Sequence, residues 1–109
     1  MSKATKIRAL NDALRVIACG AGRIYVTTGI AALPMQDQIE IMQRVQGFSD
    51  FTPDNDPWGE HDFGSFDYDG KKIFRKIDYY DRDLKFHSTD AADESVTTRV
   101  LTVMLAEEY

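Results

Sequence analysis

With 109 residues, 43% hydrophobic and 28% charged, the chain has the size and make-up of one ordinary domain, long enough to bury a core without metals or disulfides. Its single cysteine, Cys19, excludes an internal disulfide and any cysteine-built zinc site, and no run approaches the roughly 18 apolar residues of a membrane span. The formal charge of -5 is unevenly spread: residues 1–44 carry +3, 45–70 carry -7 without one Lys or Arg, 71–85 carry +3 and 86–109 carry -4.

The opening MSKATKIRALND is charged and has no apolar leader core, which with the lone cysteine predicts a cytoplasmic protein. From Lys3 to Cys19, Ile7, Leu10, Leu14 and Ile17 recur at three- and four-residue spacing, the stripe of an amphipathic helix. Gly20 and Gly22 end it, and RIYVTTGI predicts a strand from Arg23 to about Thr28. Leu33 and Pro34 open a second helix whose buried stripe is expected at Ile39, Met42 and Val45, with Ile41 at the margin.

FGSFDYDGKKIFRKIDYY presents two β-prone runs joined by Asp69-Gly70, a type I′ hairpin signal. A two-residue loop fixes the register. Phe66 then faces Ile73, Asp62 faces Ile77 on the same side, Asp67 faces Lys72 on the other, and an extended pairing brings His61 opposite Asp78. A turn or short strand follows in DRDLKFHSTD. A C-terminal helix is expected from about Asp90–Ser95, capped by Asp90 or Asp93, with Val96, Val100, Leu101, Val103 and Met104 inward. The result is a single α+β domain, order α-β-α-β-β-α, with helices covering a small antiparallel sheet.

The chemistry concentrates in FTPDNDPWGEHDFG, Phe51 to Gly64. Counted from Asp54, the acids Asp54, Asp56, Glu60 and Asp62 resemble a calcium loop, but Trp58 and Ser65 stand at two ligand positions and the flanks are not helical, so they are weak metal candidates and no cofactor is expected. His61, opposite Asp78, offers an acid–base pair, against the plainer reading of a cross-strand contact. CGAGRIY lacks the third glycine and the Lys-Ser/Thr ending of nucleotide loops and reads as a helix stop. Cys19, at a helix C-terminus that disfavours thiolate, reads as a small buried side chain.

FTPDNDPWGEHDFG, KIDYYD and VLTVMLAEEY resemble the motifs of an alphaproteobacterial family catalogued as domain of unknown function 3768. The resemblance covers nearly the whole chain and implies a setting among accessory genes of plasmids and other mobile elements. It implies no catalytic residue.

The leading expectation is a small intracellular binding or inhibitory protein, an anti-defence factor among the options. It presents the acidic aromatic loop 50–62, through Asp54, Asp56, Trp58, Glu60, His61 and Asp62 with Tyr79, Tyr80 and Asp81 beside it, to a basic protein surface. Acidic charge disfavours direct nucleic-acid binding through this loop. The alternatives are a hydrolase using His61 and Asp78, with or without a divalent ion, and a structural latch whose acids cap turns.

Overall fold

The computed structural model describes residues 2–17 and 22–109 and runs α1 (Lys3–Ile17), β1 (Arg23–Val26), α2 (Thr28–Ala31), α3 (Met35–Gly47), β2 (Phe63–Tyr68), β3 (Lys71–Tyr80) and β4 (Thr98–Leu105). Cys19 and Gly20, named above at the end of the first helix, lie outside the described residues. Ser2 closes the first turn of α1, its hydroxyl accepting the Thr5 N–H at 3.1 Å. Leu14 of α1, Ile30 of α2 and Ile41 and Val45 of α3 pack on Ile73 and Ile77 of β3 and Leu101 and Val103 of β4, all buried. Each contributes about 1.5–3 kcal/mol by leaving water. The fold is α+β, with the helices on one face of a four-stranded sheet ordered β1-β4-β3-β2.

The hairpin register is the one set by the Asp69-Gly70 turn, with Phe66 opposite Ile73 and Asp67 opposite Lys72. β3 alternates Ile73, Arg75, Ile77 and Tyr79 toward the helices with Lys72, Phe74, Lys76 and Asp78 on the outer face.

Three expectations need correction. The C-terminal segment is no helix: Asp93 caps one 3-10 turn, Glu94–Val96, through the Ser95 N–H at 2.9 Å, and the chain then enters β4. Val96, Val100, Val103 and Met104 fit a helical spacing, but the run from Thr97 to Leu105 is rich in β-branched residues and, from Val100 on, apolar at every position but Thr102. That suits a central strand buried on both faces. The sheet is also mixed, since β1 joins β4 in parallel with Ile24 beside Leu101, while the other pairs are antiparallel. In α3 the stripe holds at Val45 and, partly, at Met42, but Ile41 is buried and Ile39 exposed, since the helix docks slightly turned from the expected face.

β4 therefore carries the centre of the sheet. Leu101→Ala should cost about 2–5 kcal/mol in urea unfolding, the range for a truncated core leucine. A loss under 1 kcal/mol would contradict its central position.

Candidate functional site

The loop between α3 and β2 folds around two buried arginines. Arg15, near the end of α1, donates through Nη1 to the carbonyls of Val45, Gln46 and Phe48 at 3.0, 3.0 and 2.9 Å, filling the C-terminal acceptors that α3 leaves open. Its Nη2 donates to Asp12 Oδ1 at 3.0 Å. Arg75 is fully buried in β3, and its guanidinium lies 5.1 Å from the centroids of both Phe48 and Phe51. It donates to the His61 carbonyl at 2.8 Å and the Phe63 carbonyl at 3.3 Å. Burial, and then the neighbouring Arg15, push Arg75 down to about 10, still a cation at neutral pH. Gly64 makes room for this packing, since a Cβ there would stand 2.7 Å from the Phe48 ring.

The loop's own residues complete the cluster. Asp56 is buried, and its Oδ1 accepts the N–H groups of Glu60 and His61, each at 3.1 Å. Gly59 and His61 both take positive φ, 67° and 57°, turning the chain so that the imidazole points beneath the loop. His61 Nδ1 donates to Asp12 Oδ1 at 3.0 Å, and the ring stacks on Phe51 at 3.7 Å between centroids. Tyr79 donates to Glu60 Oε1 at 2.9 Å and accepts from Asn11 at 2.8 Å. Burial raises the Tyr79 phenol far above its ordinary value, so it remains a donor. Asn11 in turn accepts from Arg99 Nε at 2.9 Å, and Arg99 reaches the Ala91 carbonyl.

This placement corrects the expected pairing of His61 with Asp78. The left-handed backbone at His61 ends the strand pattern before the pairing reaches it, and Asp78 lies on the outer sheet face, 3.1 Å from Lys76. The carboxylate beside His61 is Asp12, from α1. Both ring nitrogens lie near acids, Asp12 and, at 3.7 Å, Asp56. The hollows beside α1 and Asp90–Ser95, beside Gly70, on the outer sheet face and along α3 are lined by other residues, and His61 lies in none of them.

The expected binding residues divide into two groups. Asp56, Glu60, His61 and Tyr79 bond within the cluster, and half-buried Asp62 leaves its carbonyl to the Ile77 N–H at 2.8 Å. Asp54 and Trp58 face solvent. Tyr80 stacks with His87 on the outer face, and Asp81 accepts the Lys85 N–H at 2.9 Å. The weak metal candidates Asp54, Asp56, Glu60 and Asp62 do not converge, and among the described residues no three His, Cys, Asp or Glu side chains gather as ligands. No described helix is long and apolar enough to cross a membrane.

Sequence reasoning missed Asn11, Asp12, Arg15, Arg75 and Arg99. Two signals were present: Asn11 sits between Ile7 and Leu14 on the apolar stripe of α1, and Arg75 sits between Ile73 and Ile77 on the inward alternation of β3.

Two measurements test the inward reading of the loop acids. Asp56→Ala leaves two backbone donors unpaired and should cost about 1–3 kcal/mol, while exposed Asp54→Ala stays within about 0.5 kcal/mol. Equal effects would mean Asp56 holds nothing. Burial raises the carboxyl of Asp62 above its ordinary value, with Asp56 and Asp78 adding repulsion. A raised folded-state value means the folded chain favours the proton, so stability falls as pH climbs through the carboxylate range. Asp62→Asn should therefore melt higher than the parent at pH 7, with the gap closing toward about pH 4.

Residues 26–108 match the family described as Protein of unknown function (DUF3768), a span that takes in the loop, Arg75 and Arg99 and begins after α1. No curated protein and no solved structure matches the chain. With most of its length inside the match, the chain belongs to this family of proteins of unknown function.

Proposed function

We propose that the chain is a small binding protein, inhibitory in action, whose contact surface is the outer side of the 50–62 loop. The observation that carries this reading is Trp58, 74% exposed on a loop whose backbone is fixed from beneath. An aromatic side chain in solvent gives up apolar stabilisation, whereas a pre-ordered loop removes much of the entropic cost of binding. Asp50, Pro53, Asp54 and Pro57 stand exposed around it, so the patch is acidic and apolar together and suits a basic protein surface.

A second exposed apolar element lies at the same end of the sheet, away from the Asp69-Gly70 turn. After β3 the chain turns through Asp81–Phe86, with Phe86 73% exposed and Leu84 held at φ 61°. A leucine in the left-handed region costs roughly 1–2 kcal/mol, and retention of such strain on an exposed turn points to a contact role. Asp56, Glu60, His61 and Asp12 act in this reading as positioning residues. The resemblance to an alphaproteobacterial protein family, and the setting on mobile elements that it implies, favour a cytoplasmic host or defence protein as the target, one whose basic surface otherwise meets nucleic acid.

The test is capture of a defined partner from host lysate, followed by titration with variants. Trp58→Ala should fold normally and weaken binding about 30-fold or more, the scale of a central tryptophan contact. Asp54→Lys should slow association, most at low salt. Leu84→Gly should not lower the melting temperature yet should weaken binding. Unchanged affinity in all three would reject this surface.

A further inference from the structure

The outward face of α3 is a separate place where apolar side chains stand in solvent. Met35 is 67% and Ile39 45% exposed, and with Met42, Gln43 and Gln46 they line a shallow hollow along the helix. At about 100° per residue these five and Gln36 share an arc of about 120°. No charged residue falls within it. The helix's charged residues turn to the other flank, where Tyr68 donates to Asp37 at 2.7 Å and Glu40 at 2.8 Å and Arg44 donates to the Asp67 carbonyl at 3.1 Å.

We propose that this face pairs with the same face of a second copy, α3 against α3 in antiparallel, about a two-fold axis near Ile39. Charge favours a second copy as the occupant. A basic partner finds no carboxylate here to pair with, whereas two copies of a chain of net charge -5 repel wherever their acidic surfaces meet. An isologous contact also requires a patch complementary to itself. Methionines adapt to one another, and glutamine amides both donate and accept, so this patch can meet its own image without unpaired charge. The axis brings Met35 of one copy toward Met42 of the other, across paired Ile39 side chains.

The helix is 13 residues long, so about 20 Å. A contact confined to it falls short of the roughly 800 Å² per partner of a stable complex, and the dimer should exchange with monomer at working concentrations.

Sedimentation velocity from micromolar to near-millimolar protein tests the proposal. The parent chain should shift toward twice the monomer mass as concentration rises. Ile39→Lys, exposed and so harmless to folding, should weaken association at least about tenfold, and Met35→Gln should weaken it less. Trp58→Ala should dimerise like the parent. A chain that stays monomeric throughout overturns the proposal, as does a dimer indifferent to Ile39→Lys or one lost in Trp58→Ala. These outcomes are independent of whether the Trp58 surface binds a partner.

Discussion

A fully buried guanidinium is the constraint on which the arrangement depends. Arg75 projects from β3 into the space beneath the 48–63 segment, where an ion without partners would cost several kcal/mol. The chain meets this by bringing backbone and aromatic faces to the charge. Phe48 and Phe51 lie against it, His61 and Phe63 offer carbonyls, and the carboxylates of Asp12, Asp56 and Asp62 stand near enough to favour the ionised form. The underside of the loop is therefore part of the interior. Arg15 extends the same logic to the helices, fastening the end of α1 to the end of α3.

This arrangement changes what the charge tally means. A stretch without Lys or Arg looks, along the sequence, like a continuous acidic surface. In three dimensions compensating cations arrive from elsewhere in the chain, Arg15 from α1 and Arg75 from β3, with buried Asp56 near enough to Arg75 to favour its charge. What the loop leaves outside is narrower: Asp50, Asp54 and the tryptophan that follows Pro57.

Much of the architecture was legible because it is set locally. The Asp69-Gly70 turn dictates the register of its own strands, and the spacing of Ile7 and Leu14 dictates α1. The last strand was illegible for the opposite reason. A run such as VLTVML satisfies either period when both faces are apolar, and only its neighbours β1 and β3, distant in sequence, decide the outcome. The site failed in the same way: His61 and Asp12 are 49 residues apart, and no local rule links them. Asn11 and Arg75, polar residues on apolar stripes, were visible signs of a buried network, yet each alone also fits the edge of a stripe.

The position of β4 also bears on how the molecule is made. β1 leaves the ribosome long before its sheet partner, residues 98–105, and β3 gains its second neighbour there too. Until that segment is free, the nascent chain can form helices and one hairpin, but the core lacks Leu101 and Val103. Until then Ile24 and Val26 lack a strand partner and the inner faces of the helices lack β4, an interval when hydrophobic chains are open to chaperones and to one another. Folding should thus come as one late step, with the long-range closure of first strand onto last setting its rate.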